Sequence, residues 1–330
     1  MAQKADKEHV LTNPPQDGIS SVKFSRTSDL LLAASWDETV RLYDARRNAT
    51  QGVFQSKGAV LDAAFLDDTK GFMGGLDKAV KMFDFGGAAG AVALGVHSAP
   101  VRCVEYLSGT HHDQLVTGSW DKTVKLWDHR ASTFLRSTLQ MPGKVYSMDV
   151  NGSKLVVGCS NRFVVVYDLR KLDRPEQMRE SSLKFQTRCI KLMPDNSGYV
   201  LSSVEGRVAV EYLDPSPEVQ SKKYAFKCHR QGDTIFPVNA MAFHPVFGTF
   251  ATGGCDGTVN VWDGTNKKRL INYTGYPTSI SSVAFNRDGM LLAIASSYTF
   301  EQGEKDHQPD AIYVREVNPH DVKPKPRKSA

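Results

Sequence analysis

Cysteine is scarce and scattered in this sequence. The 330 residues hold five, at positions 103, 159, 189, 228 and 255, and no two form a CxxC pair. Thiols so far apart supply neither a zinc-ligand set nor a disulfide framework, and they suit a reducing compartment, cytosol or nucleus. No apolar run approaches the roughly 20 residues that span a bilayer. The opening MAQKADKEHVLTNPPQDG has no apolar stretch of signal-peptide type, so no secretory signal is expected. A strong charge of one sign is also missing. The net charge is +5, and part of it lies in the final VKPKPRKSA. So mild an excess permits an anionic partner without demanding one.

Signs of catalysis are equally thin. There is no HExxH and no readable Ser-His-Asp order. The glycine-rich FDFGGAAGAVALG, 83 to 95, lacks GK[ST] and is not followed by a helical pattern. It reads as a flexible loop between two strands. His111 and His112 are adjacent in SGTHHDQ, and neighbours in extended chain point apart. No metal site, no cofactor and no enzymatic activity are therefore expected.

What the chain does have is a repeat. VRLYD, VKMFD, VKLWD, VVVYD, YLD and VNVWD end at Asp44, Asp84, Asp128, Asp168, Asp214 and Asp263, spaced by 40, 44, 40, 46 and 49 residues. IYVREV takes the seventh place. Each segment alternates apolar and polar residues, the period of a half-buried strand. A second strand precedes each, as in LLLAASWD, QLVTGSWD and TFATGGCDG, with small residues suited to tight packing between sheets. A third lies earlier still, as in ISSVKFS, VRCVEYL and VNAMAFH. Seven such units predict an all-β fold, a seven-bladed β-propeller of the WD40 type.

The ring must also close. After Val317, prolines 319, 324 and 326 disfavour a last strand because proline has no N–H for the ladder. His9 to Asn13 is the expected donor, an N-terminal closing strand that removes two open edges. The division is then 1–13 for the closing segment, 14–317 for the propeller and 318–330 for a flexible basic tail.

Blade 3 shows how one unit is held. His97, Ser119 (with Thr117 nearby), Asp121 and Trp127 have the spacing of the hydrogen-bonded tetrad of WD40 repeats, and His229, Asp256 and Trp262 repeat it in blade 6. A buried Trp N–H needs a partner, and so does a buried Asp. Trp36 and Trp120 have no such scaffold role. Each immediately precedes the turn aspartate, where other units place Leu76, Ser160 or Asn161, Glu205 and Cys255. Large aromatics at that turn predict an exposed recognition platform.

The fifth unit departs most from the repeat and concentrates cations: Arg188, Arg207, Lys222, Lys223, Lys227 and Arg230. Arginine in such turns suits a carboxylate or phosphate. ESSLKFQTRCI and EGRVAVEYLDPSPEVQSKKYAFKCHR in this unit, with NPPQDGISSVKFS, YPTSISSVAF and LAIASSY, resemble the Bub-three family of mitotic checkpoint proteins. The resemblance runs from about Asn13 to Val317. The family's close relative, the propeller of messenger-RNA export, shares the start and the EGRVA segment.

The resemblance implies a non-enzymatic adaptor. Its partners would be the checkpoint kinase and its checkpoint-complex paralogue, held through a Glu-containing helical motif, and phosphorylated Met-Glu-Leu-Thr repeats of an outer-kinetochore scaffold. Arg188 would pair with the partner glutamate, with Trp120 and Glu205 as further contacts. Arg207 and Lys227 would hold the phosphothreonine, with Trp36 packed beside that peptide. The protein would be nuclear, at kinetochores in mitosis and partly cytoplasmic, with neither membrane nor direct nucleic-acid binding expected. An RNA-export adaptor and a catalytic propeller are the alternatives.

Overall fold

The computed structural model describes residues 7–87, 90–108 and 113–325. Among these residues, seven antiparallel four-stranded sheets form the blades. The innermost strand of each blade packs against those of both neighbours, and Ile280–Phe285 of blade 7 closes the circle on Ile19–Phe24 of blade 1. The chain is thus a closed seven-bladed β-propeller. The glycines of the second strands explain the tight stacking. A Cβ on Gly118 would stand 2.7 Å from Val145, and one on Gly253 would stand 2.4 Å from Ile280. Each of those partners begins the next blade.

An innermost strand leaves one edge unpaired, and its polar groups need partners. Side chains of the preceding blade supply several. Asp62 accepts from Val104 N–H at 2.7 Å, Asp149 from Leu192 N–H at 2.8 Å, and Ser282 from Val22 N–H at 3.0 Å. The same carboxylates anchor a charge ladder inside the channel. Lys23 binds Asp62 and Glu105, each at 2.9 Å, and Lys191 binds Asp149 at 2.9 Å. Blades 1 to 5 are stitched together there.

The N-terminus closes blade 7, with one shift from expectation. The fourth strand is Glu8–Val10, paired with Ala311–Glu316, rather than residues 9 to 13. Leu11 N–H still bonds Ile312 O, but Asn13 has a φ of 54° and turns away. Asn13 O there accepts from the Tyr43 hydroxyl at 2.9 Å. Blade 1, which has Tyr43 where blade 3 has Trp127, spends that side chain on the closing segment.

The segment expected to be a flexible tail is partly packed. Pro319–Val322 forms one helical turn, capped by the Asn318 side chain. Val322 is fully buried, and its carbonyl accepts from Thr249 Oγ1 at 2.8 Å. The glycine-rich loop is shorter than expected, because Val92–Val96 is the outer strand of blade 2. His111 and His112 lie outside the described residues, as do residues 326–330 of the tail.

Candidate functional site: the top face

The turns between second and third strands and the loops entering each blade lie at one end of the ring, the top face. The blade 3 tetrad sits just beneath it. His97 Nδ1 is 2.9 Å from Asp121, and His97 Nε2 is 2.8 Å from the Thr117 hydroxyl, which also accepts from Trp127 Nε1 at 2.8 Å. Thr117, not Ser119, is therefore the hydroxyl member. Ser119 instead donates to Ala99 O and accepts from Asp121 N–H, each at 3.0 Å. Burial would raise the Asp121 carboxyl, but donors from Thr123, Ser98 and His97 hold it down at about 2. Burial keeps His97 below its usual range despite Asp121, so the ring is neutral at pH 7. Blade 6 repeats the chain through His229, Asp256, Thr252 and Trp262.

The first strand of every blade carries a register shift at its second residue. Those residues are Ser20, Leu61, Arg102, Tyr146, Arg188, Asn239 and Ser281. A bulge re-aims a side chain and is common beside functional sites. Here all seven line one cavity of about 600 Å³ at the mouth of the channel. Trp36, Trp120, Tyr298 and Phe300 line it as well. Trp36 is exposed and lies close above Gly18, where a Cβ would stand 3.3 Å from the indole. Trp120 is half-buried.

This cavity brings Trp36, Trp120 and Arg188 together. It does not include Glu205, Arg207 or Lys227. Trp36 thus lines the channel mouth together with Arg188. Glu205 also changes place. Its N–H bonds Ser203 Oγ as Asp121 N–H bonds Ser119 Oγ, so it replaces the turn aspartate, and Val204 occupies the tryptophan position. The Glu205 carboxylate accepts from Lys184 N–H at 3.2 Å and stands 3.5 Å from Arg207 Nε.

Arg207 and Lys227 face each other in register on adjacent strands at the top of blade 5. Like charges placed directly opposite disfavour a sheet. Glu205 offsets Arg207 only in part, and the side chain of exposed Lys227 makes no ion pair or hydrogen bond among the described residues. Such a pair suits an external anion. Exposed Phe185, Ile235 and Phe300 add apolar area to this face. Tyr146, Tyr298, Phe300 and Asn239 escaped notice in the sequence. The signal for Tyr146 and Asn239 was their position, the second residue of each inner strand.

Among the described residues, no cluster of three or more His, Cys, Asp or Glu could hold a metal. No helix there is long and apolar enough to cross a membrane.

A closed ring with buried Asp–His–Thr–Trp chains and an aromatic, cationic top face defines a WD40-repeat propeller. A profile described as "WD domain, G-beta repeat" matches residues 6–44, 92–128 and 220–263. The chain is 55% identical to Mitotic checkpoint protein BUB3.1 of Arabidopsis thaliana over 96% of this chain and 95% of that one. It is 50% identical to Mitotic checkpoint protein bub3 of Dictyostelium discoideum over 92% and 93%. It is 36% identical to mRNA export factor GLE2 of Chaetomium thermophilum over 96% and 92%. The chain belongs to the Bub3 family of mitotic checkpoint proteins.

Proposed function

We propose that this protein is a non-enzymatic adaptor of the spindle assembly checkpoint. Its channel mouth binds the Glu-containing helical motif of the checkpoint kinase and of its paralogue. Its blade 5 rim binds phosphorylated Met-Glu-Leu-Thr repeats of the outer-kinetochore scaffold. Recruitment places it at unattached kinetochores from a nuclear pool, with some in the cytoplasm. The observation that carries this reading is Arg188. It is a half-buried guanidinium at the floor of an aromatic cavity, with no ion pair or hydrogen bond among the described residues. A cation so placed calls for a partner carboxylate. The Arg207–Lys227 pair adds a two-cation clamp for a phosphate carrying about −1.5 to −2 charge. A synthetic helical-motif peptide tests the first part: Arg188→Ala is expected to weaken binding at least tenfold, and unchanged affinity would refute it. An RNA-export role is the competing reading, favoured only by more distant relatives. Cells arrested with nocodazole separate the two. Kinetochore foci support the checkpoint role, and pore-rim staining without foci would overturn it.

A further inference from the structure

The turns that join second and third strands in blades 1 to 6 share one strained place. Glu38, Lys78, Lys122, Arg162, Gly206 and Gly257 follow one another around the rim, each with a φ between 61° and 67°. In the first five, the carbonyl accepts from the N–H just past the outer strand of the same blade, at 2.7 to 3.0 Å. The backbone therefore fixes the left-handed conformation at these turns. Glycine adopts it freely, whereas a Cβ there crowds the following carbonyl. Blades 5 and 6 use glycine, but blades 2 to 4 hold a cation. The exposed Lys78 and Lys122 amines do nothing for their own turns, since neither makes an ion pair or hydrogen bond among the described residues. Strain kept without a structural return points to a role outside the fold.

Three more exposed lysines stand in the loops between these turns. Lys57 follows Ser56, whose N–H donates to Glu38 O. Lys144 is fixed beside the blade 4 turn, where its N–H donates to Ser160 Oγ at 3.0 Å and its carbonyl accepts from Ser160 N–H at 2.8 Å. Lys184 O accepts from Arg162 Nη1 at 3.2 Å. The amines of these three are also without an ion pair or hydrogen bond among the described residues. Arg162 differs, because Glu180 pairs with it. Lys57, Lys78, Lys122, Lys144 and Lys184 thus form an arc of free cations along the rim from blade 2 to blade 5. None of them lines the channel-mouth cavity. Across the mouth, the loop of blade 7 carries exposed Glu301, Glu304 and Asp306, and its Lys305 lies over Tyr298.

We propose that the arc is a docking track for an acidic polypeptide segment, separate from the channel mouth. Carboxylates along an extended chain meet the lysines in turn. The acidic side of blade 7 favours a polypeptide over a nucleic acid. A polypeptide can change its charge as it passes the mouth, whereas a uniform polyanion crossing the face is repelled there.

Lys78→Gly/Lys122→Gly tests this without harming the fold. It gives each turn the residue its backbone prefers, so the melting temperature should hold or rise. Fluorescence anisotropy of labelled decaglutamate on the full-length protein reads the arc. Wild type should bind it at low salt and release it as salt rises. The double variant should bind about tenfold more weakly, since each exposed ion pair contributes a few-fold. Lys222→Ser/Lys223→Ser removes the same charge from the far end of blade 5 and should change affinity by less than about twofold at moderate salt. No binding by wild type, no loss in Lys78→Gly/Lys122→Gly, or equal losses in the two variants would overturn the track. Tighter binding of decathymidylate than of decaglutamate, lost in Lys78→Gly/Lys122→Gly, would overturn the polypeptide assignment in favour of a nucleic acid.

Discussion

Replacing Thr117 by valine isolates the hydroxyl that joins the blade 3 tetrad. Valine fills the same space, so cavity formation adds little. The change strips one partner from Trp127 Nε1 and one from His97 Nε2, both on side chains almost wholly buried. Each buried group left unsatisfied costs about 1–3 kcal/mol, which puts the loss near 3 kcal/mol. In a chain of this size that lowers the melting temperature by roughly 5 °C. Ser119→Ala gives the contrast. Ser119 is also fully buried, but it serves only Ala99 O and Asp121 N–H, both on half-buried residues, and its loss should cost about 1 kcal/mol. Differential scanning calorimetry of both variants, and of each in a Trp127→Phe background, measures the difference. With the indole N–H gone, Thr117→Val should cost about 1 kcal/mol less, the sign of direct coupling. A Ser119→Ala loss equal to or greater than that of Thr117→Val would refute the assignment of Thr117.

Three further outcomes follow from the geometry. The folded protein holds Asp121 near 2, below its unfolded value of 3.8. The stability this carboxylate contributes is full above pH 4 and is lost as pH falls toward 2. His97, also depressed, withdraws stability below pH 6.5. Urea midpoints at pH 7, 5 and 3 should fall in that order, and a flat profile would contradict the neutral-histidine chain. Gly253→Ala drives a methyl group into Ile280 and should destabilise by about 1–3 kcal/mol, read from the same midpoints. Removing residues 1–12 takes away the Glu8–Val10 strand and exposes the edge of Ala311–Glu316, so the melting temperature should drop and concentration-dependent association should appear in light scattering.

The repeat was legible because each blade writes the same alternation into three strands at a fixed period. Closure was legible because prolines near the C-terminus forbid a fourth strand there. Other features hide from alternation. Thr117 and Ser119 lie two residues apart on one side of the same strand, so the pattern leaves the tetrad hydroxyl between them. The bulge at the second residue of each inner strand breaks the period of two, and it alone gathers Tyr146, Arg188 and Asn239 in the channel mouth. Glu205 was misaligned because blade 5 has neither tryptophan nor aspartate at its turn to mark the register. The packing of Val322 against blade 6 is a tertiary contact that a proline- and lysine-rich stretch does not advertise.

On the function proposed here, the top face reads phosphorylated and acidic segments through separate cation sites. The most direct measurement is the affinity of phosphorylated and plain Met-Glu-Leu-Thr peptides for wild type and for Arg207→Ala/Lys227→Ala. Wild type should prefer the phosphorylated peptide, and the double variant should lose that preference while keeping its affinity for the helical-motif peptide. An unchanged preference in the double variant would contradict the clamp.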